Sequence, residues 1–148
     1  MEHIYLLYGA SNKGKSTTLK NLAVQLLQLF PNELVYFEQV GEIDFLAVWD
    51  NQKVRLGIYS GGDNKSIVFR NFSALQNMNC NFIIGATRTG GGSVQVAESY
   101  AELFGQEIRW IEKQVASDSD NDECQKELVK IVKEINFFLF FISFLYNL

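Results

Sequence analysis

The chain has 148 residues, a hydrophobic fraction of 47%, a single proline and a formal net charge of −4. This length suits one well-buried domain and is too short for two comfortable ones, and the negative charge argues against a broad surface that neutralises nucleic-acid phosphates. The two cysteines, Cys80 and Cys124, form neither a C-x-x-C pair nor a dense disulfide framework. With no secretory signal at the N-terminus, we expect reduced thiols and a cytoplasmic protein.

Strand and helix patterns alternate along the chain. A near-continuous apolar run predicts a strand over Ile4–Tyr8, and the helical pattern that follows ends at Pro31. Asp50-Asn51-Gln52 separates two β-rich segments and predicts a hairpin, hence at least one antiparallel pair in an otherwise parallel sheet. The remaining predicted elements are helices at 15–30, 64–78, 93–104 and 123–134 and strands at 34–38, 44–49, 53–60, 80–86 and 107–112. This alternation favours an α/β doubly wound sheet with ligands at the carboxyl ends of its strands.

The loop between the first strand and the first helix carries the strongest functional signal. Residues 9–16 match G-x-x-x-x-G-K-[ST] between a strand and a helix, the context in which this motif is specific. Glycines let backbone N–H groups converge on phosphate oxygens, and the helix N-terminus adds its dipole. The lysine of the pattern reaches the β and γ phosphates, and the serine hydroxyl completes a Mg²⁺ shell. The candidate nucleotide-binding residues are Gly9, Asn12, Lys13, Gly14, Lys15, Ser16 and Thr17, with Lys15 also catalytic and Ser16 also a metal ligand.

On residues 9–16 the chain resembles the P-loop NTPase superfamily. The resemblance implies a three-layer α/β/α domain that binds ATP or GTP with Mg²⁺. Together with the predicted elements, we expect this nucleotide-binding domain over residues 1–135, with a mostly parallel sheet and one antiparallel hairpin. It does not identify the reaction, because this superfamily hosts many chemistries. The chain has no clear Asp-x-x-Gly and no following Asn-Lys-x-Asp, so small-GTPase membership is poorly supported and ATP is the expected nucleotide.

An acidic side chain at a neighbouring strand tip would hold Mg²⁺ or its waters. Asp63, which follows the apolar segment 56–59 and two glycines, is the leading candidate for this catalytic and metal-binding role. Asp44 and Asp50 are the runners-up. An equally weighted alternative is that Asp63 caps the helix that begins near Asn64, and the two roles are compatible.

Arg88 follows the predicted strand 80–86 and precedes three consecutive glycines. Its guanidinium fork suits a phosphate or carboxylate, and the glycines would let backbone N–H groups approach an anion, which predicts a catalytic sensor of substrate or γ-phosphate. The favoured alternative is a surface loop in which Ser93 caps the next helix. Arg70 is a weaker candidate for the arginine role.

Two further side chains were weighed as candidates. Glu38 suits a base or a substrate ligand by analogy with some P-loop kinases, although a carboxylate with no catalytic role is the favoured interpretation. His3, the only histidine, lies at the wrong end of the first strand. The sequence therefore shows neither a His-dependent catalytic set nor a Cys/His zinc site.

The C-terminal segment, residues 136–148, is the second unusual feature because aromatic and aliphatic side chains dominate it from Phe137 onward. A transmembrane helix needs about 20 apolar residues, and Lys133 and Glu134 precede this shorter run, so spanning is not expected. An exposed segment of this kind would aggregate. Packing on its own domain is favoured, a homo-oligomer interface is the next alternative, and membrane contact is the least expected.

Together these residues predict a Mg²⁺-dependent ATP hydrolase or small-molecule phosphotransferase. ATP would bind residues 9–16, Asp63 would hold the metal, and Arg88 would stabilise charge on the transferred phosphoryl group. The alternative is a nucleotide-dependent switch that acts on a protein partner with little catalysis of its own. A defined acceptor that consumes ATP stoichiometrically would favour the first, and nucleotide-dependent assembly would favour the second.

Overall fold

The computed structural model describes residues 2–10, 14–113 and 117–146, with side chains described as far as Ile135. The elements in chain order are β1 (Ile4–Tyr8), α1 (Lys15–Leu29), β2 (Leu34–Val40), β3 (Asp44–Asp50), β4 (Arg55–Tyr59), α2 (Lys65–Asn77), β5 (Phe82–Thr87), α3 (Gly92–Leu103), β6 (Ile108–Glu112) and α4 (Asp118–Tyr146). None of the helices in these ranges is both long enough and apolar enough to cross a membrane.

The six strands form one sheet in the order β2-β3-β4-β5-β1-β6. Strands β4, β5, β1 and β6 are mutually parallel, whereas β3 is antiparallel to both β2 and β4. The chain is therefore α/β with a mostly parallel sheet, as predicted. The predicted hairpin at Asp50-Asn51-Gln52 is confirmed as the antiparallel pair β3–β4. The sheet also has a second antiparallel pair, because β2 runs on to Val40 and turns through Gly41, whose φ of 66° suits glycine, into β3.

The helices cover both faces of the sheet, an arrangement compatible with three layers. Helices α1 and α4 pack on one face, and α2 and α3 pack on the other. Each helix buries apolar residues three or four positions apart, the spacing of one helical face. Examples are Leu19, Leu22 and Leu26 of α1, Leu128, Ile131 and Ile135 of α4, Val68, Phe72 and Leu75 of α2, and Ala97 and Ala101 of α3.

Helix α4 is longer than the sequence pattern predicted. It has 29 residues and starts at Asp118 rather than at position 123, with two aspartates in its first turn. Carboxylates there complement the positive end of the helix dipole, which explains the earlier start. The α4 backbone continues through the predicted boundary at 135/136, and the predicted packing of the tail lies outside the described side chains.

The centre of the sheet is packed around Tyr59 at the end of β4. Its ring is fully buried and lies edge-on to Phe72 at a centroid distance of 5.7 Å, and its hydroxyl donates to the Ala86 carbonyl at 2.8 Å. The ring fills the space beside Gly85 of β5, where a Cβ atom would lie 2.1 Å from Cε1 of Tyr59. The tyrosine thus connects β4 to the last residues of β5, which lead into the site below.

Candidate functional site

The candidate site lies at the edge of the sheet where the parallel strands end. The carboxyl ends of β1, β4, β5 and β6 meet there. Because β3 runs in the opposite direction, its first residue, Asp44, reaches the same edge. The strand order therefore brings together side chains that are far apart in sequence.

Lys15 is the first residue of α1, and its side chain is buried. Its ammonium group donates to the carbonyl oxygens of Gly9 at 2.6 Å and Thr87 at 2.7 Å. Burial lowers the pKa of Lys15 below the ordinary 10.5, the nearby Asp63 carboxylate opposes this shift, and the Arg88 guanidinium adds to it. The side chains of Asp63 and Arg88 thus lie close enough to Lys15 for their charges to act on it.

Gly14, just before α1, has a left-handed backbone with φ 83°. A Cβ at this position would also lie 2.5 Å from Oδ1 of Asn121, so both conformation and space require glycine. The Thr18 hydroxyl donates to the Gly14 carbonyl at 2.9 Å. Thr17 is exposed on the first turn of α1, and the predicted contributions of Asn12 and Lys13 lie outside the described residues.

Ser16 contacts Asp44, one of the two runners-up for the metal-side acid. Its hydroxyl lies 3.2 Å from Oδ1 of Asp44, and the hydroxyl of Ser60 donates to the same oxygen at 2.9 Å. Ser60 in turn accepts from the backbone N–H of Phe45 at 3.0 Å, which fixes its position at the end of β4. The structure therefore places a hydroxyl and an oriented carboxylate side by side at the N-terminus of α1.

Asp63 is exposed, and it is Asn64 that caps α2 by accepting from the backbone N–H of Ile67 at 3.0 Å. The alternative interpretation of Asp63 as the helix cap is therefore wrong. The helix starts one residue later than predicted, at Lys65, so the capping position falls on Asn64, itself a preferred cap. The metal-binding role of Asp63 stays a prediction.

Arg88 is exposed directly after β5, and its backbone N–H donates to the hydroxyl of buried Ser93 at 3.0 Å. The alternative in which Ser93 caps α3 is wrong, because Gly91 occupies the cap position with φ 79° and ψ −152°. This backbone conformation is accessible to glycine alone. The Ser93 hydroxyl instead fixes the start of the loop from which the Arg88 guanidinium extends.

Three candidates from the sequence lie away from this group. Glu38 forms an exposed ion pair with Arg70 at 3.1 Å on β2 and α2, and β2 is separated from β1 by three strands. Asp50 ends β3 at the opposite edge of the sheet and pairs there with Arg55 at 2.8 Å. The ion pairs of these side chains involve neither Lys15 nor Ser16.

Sequence reasoning missed a polar group at the β6–α4 junction, next to the loop. Lys113 is fully buried and forms an ion pair with Asp120, and its carbonyl oxygen would lie 2.7 Å from a Cβ on Gly9. Within the described part of the chain, Oδ1 of buried Asn121 has no hydrogen-bond partner. The junction therefore flanks both glycines of the phosphate-loop motif, a placement that follows only once β6 is known to lie beside β1.

The donor set is compatible with a hard cation and an anion. Hydroxyl and carboxylate oxygens, as in Ser16 and Asp44, are the ligand type that Mg²⁺ prefers, and an ammonium at a helix N-terminus attracts phosphate. Within 2–10, 14–113 and 117–135, no group of three or more His, Cys, Asp or Glu side chains could hold a metal ion.

Comparisons with known proteins found no relative of the chain. No protein-family model matches the chain, and neither the curated proteins nor the solved structures include a significant match.

Proposed function

We propose that the chain is a Mg²⁺-dependent ATP-binding protein of the P-loop type that hydrolyses ATP or transfers its terminal phosphoryl group. The observation that carries the proposal is the grouping at the N-terminus of α1. There Lys15, whose ammonium is buried, directly precedes Ser16 in the chain. The Ser16 hydroxyl lies 3.2 Å from Oδ1 of Asp44. This grouping follows a loop of the right sequence pattern between a strand and a helix.

Lys15 and the first N–H groups of α1 would hold the phosphates. The ammonium now donates to two carbonyl oxygens, and charged phosphate oxygens are stronger acceptors than neutral carbonyls. Replacement of these carbonyls by phosphate oxygens is therefore favourable wherever the loop admits the ligand. The preference for ATP over GTP rests on the sequence alone.

Ser16 and Asp44 would hold the metal side of the site. Mg²⁺ keeps several of its waters and is commonly bound through one or two carboxylates together with phosphate oxygens. Asp44 is oriented by Ser60 and touches Ser16, so we assign the principal metal-side carboxylate to Asp44 and an outer role to Asp63. When bound, Mg²⁺ supplies neutralisation of the charge on the phosphate oxygens.

Arg88 would stabilise charge that develops on the transferred group. It emerges from β5, which lies between the strands that lead to Lys15 and to Asp63. Its charge already acts on the Lys15 ammonium. Preorganised positive charge at such a position lowers the barrier most when the charge of the group develops in the transition state.

The test is calorimetric titration of ATP and GTP, with and without Mg²⁺, into wild type, Lys15→Met and Lys20→Met. Lys20 is an exposed lysine on the same helix and controls for a general loss of positive charge. We expect Lys15→Met to lower ATP affinity about a hundredfold or more, as loss of a charged hydrogen bond to a phosphate would predict, and Lys20→Met to leave it unchanged. Equal affinities of all three proteins would contradict the proposed site.

A second pair of variants distinguishes the two acids. Asp44→Asn keeps an oxygen that can accept from Ser16 and Ser60, so folding should be retained while the charge is removed. We expect this change to abolish the Mg²⁺ dependence of ATP binding and Asp63→Asn to weaken it only slightly. The reverse result would assign the metal to Asp63, as the sequence predicts.

Formation of ADP at saturating ATP, with and without added acceptors, then separates the activities, because hydrolysis also releases phosphate and transfer does not. Turnover that Arg88→Gln reduces without a change in ATP affinity would support hydrolysis or transfer, since such a residue acts in the transition state alone. Tight ATP binding without turnover, together with a nucleotide-dependent change in assembly, would instead support the nucleotide-dependent switch.

A further inference from the structure

Strand β2 is an open edge of the sheet. It ends the strand order, and no other described element pairs with its outer side. None of its seven residues is buried, and helices α1 and α2 leave its side chains largely uncovered. Its outward N–H and C=O groups are therefore available to another strand.

Apolar side chains continue this edge onto the outer face of α1. We call the β2 surface the set Val24, Leu27, Val35, Phe37 and Ile43, whose exposed fractions range from 40% to 63%. Most of them line a groove of about 340 Å³ between α1 and the β2–β3 hairpin, with Lys20 and Glu42 among its polar residues. An apolar centre with polar residues around it is the usual composition of a protein interface.

The two edges of the sheet differ in how they are protected. Strand β6 is shorter, with five residues, and carries two charged side chains, of which Arg109 pairs with Glu127 of α4 at 2.8 Å. Strand β2 contains neither lysine nor proline, and its one charge, on Glu38, is paired by Arg70. Charged residues, proline and β-bulges are what keep edge strands from pairing. In β2 the pairing with β3 is irregular between Leu34 and Tyr36 but regular from Tyr36 to Val40, so the segment around Phe37 is open to a second strand.

We propose that β2 pairs antiparallel with the β2 strand of a second copy of this chain, in a register centred on Phe37. A symmetric dimer needs a surface that is complementary to itself, and this register gives one. Phe37 lies opposite Phe37 of the second copy, and Tyr36 lies opposite Glu38, twice by symmetry. No like charges face each other across the pair, and a tyrosine hydroxyl meets a carboxylate.

Contacts within one copy support this orientation of the side chains. Phe37 stacks on Phe45 at a centroid distance of 6.1 Å, on the face covered by α1. The Tyr36 hydroxyl donates to Glu38 at 2.9 Å, and Glu38 pairs with α2 through Arg70, so these two lie on the other face. Pairing would therefore bury the phenylalanines against the α1 helices of both copies and keep the polar pairs together.

The first test is sedimentation equilibrium of the full chain without nucleotide, in wild type, Phe37→Lys and Phe69→Lys. Phe69 is a matched control, because it is 63% exposed on α2 while Phe37 is 57% exposed on β2. We expect a wild-type dimer, a monomer for Phe37→Lys, where two ammonium groups would face each other, and a dimer for Phe69→Lys. A wild type that stays monomeric up to about 100 μM, a concentration that detects even weak dimers, would overturn the proposal.

The second test examines the register and does not depend on Phe37. Tyr36→Glu would place two carboxylates opposite each other at both symmetric positions, whereas Tyr36→Lys would place a lysine opposite Glu38. We expect Tyr36→Glu to weaken the dimer roughly tenfold or more and Tyr36→Lys to preserve it. Equal effects of both changes, or a dimer that survives both Phe37→Lys and Tyr36→Glu, would overturn this interface. Neither test depends on nucleotide binding, so the proposed function can fail while this dimer stands.

Discussion

Replacement of Gly85 by alanine tests whether the packing around Tyr59 holds the site edge in place. Gly85 lies on β5, and its missing side chain leaves room for the buried ring of Tyr59 on β4. The same ring donates a hydrogen bond to Ala86, the residue before Thr87, whose carbonyl accepts from Lys15. A methyl group at position 85 would therefore disturb the core and the site together.

The geometry sets the size of the effect. The new Cβ would lie 2.1, 2.2 and 2.7 Å from three atoms of the Tyr59 ring, whereas carbon atoms prefer about 3.5–4.0 Å. The ring must shift by more than about 1 Å against Phe72 or give up its hydrogen bond to Ala86. Overpacking costs about 1–3 kcal/mol, and a buried hydrogen bond left unmade costs about 1–3 kcal/mol. We expect the free energy of unfolding to fall by about 2–4 kcal/mol, since one route partly relieves the other.

Urea unfolding of wild type, Gly85→Ala and Gly90→Ala measures this loss. A Cβ at Gly90 would meet nothing within 4 Å, and its φ is not positive, so this control should change the free energy of unfolding by less than about 1 kcal/mol. The denaturant dependence must stay constant for the free energies to be comparable.

A loss below about 1 kcal/mol for Gly85→Ala, or one equal to that of Gly90→Ala, would refute the packing argument. Tyr59→Leu provides a further check. If the ring is the obstacle, the alanine should cost less in the Tyr59→Leu background than in wild type. Strictly additive losses would show that Tyr59 and Gly85 do not interact.

Three predictions concern titration. The pKa of Lys15 is lower in the folded state than the ordinary 10.5, so between the two pKa values the unfolded chain binds more protons than the folded one. The free energy of unfolding should therefore rise with pH through that range, and urea titrations should show that Lys15→Met removes this rise. Burial raises the pKa of the Cys80 thiol to about 12, so iodoacetamide at pH 8 should modify it roughly a hundredfold or more slowly in the folded than in the unfolded chain. Mass spectrometry measures both rates, and equal rates would contradict this. The Gln52 N–H and the Arg55 guanidinium lower the pKa of Asp50 below 3.8, so its stabilising contribution should be complete above that pH and lost as pH falls through the folded pKa; a wild-type advantage over Asp50→Asn that persists at lower pH would contradict the assignment.

Local sequence patterns predicted the elements around the phosphate loop. The strand bounds at Ile4–Tyr8 are confirmed, and α1 ends at Leu29, one residue before the predicted end. The apolar run is buried on both faces, and Pro31 cannot continue a helix, so each signal is local and strong. Such signals also gave the α/β class, because they depend on neighbouring residues alone.

The partner of Ser16 was harder to predict, because strand order is not a local property. The sequence pattern favours Asp63 as the metal-side acid, because residues that follow parallel strands gather at one edge of the sheet. Asp44 reaches this edge by the opposite route, as the first residue of a strand that runs antiparallel. Its contact with Ser16 spans 28 positions along the chain. The sequence pattern around Asp44 does not predict this contact.

The protein itself supplies the hydrogen-bond acceptors for the Lys15 ammonium. The ammonium donates hydrogen bonds to the carbonyl oxygens of Gly9 and Thr87 instead of to water. A ligand that binds Lys15 would therefore have to displace these carbonyls. Its binding free energy would be the difference between the old and the new contacts. Weak acceptors such as alcohols or neutral amides would gain nothing by this exchange, whereas a dense cluster of anionic oxygens would. In the function proposed above, the loop would therefore select ligands by their charge density before their shape.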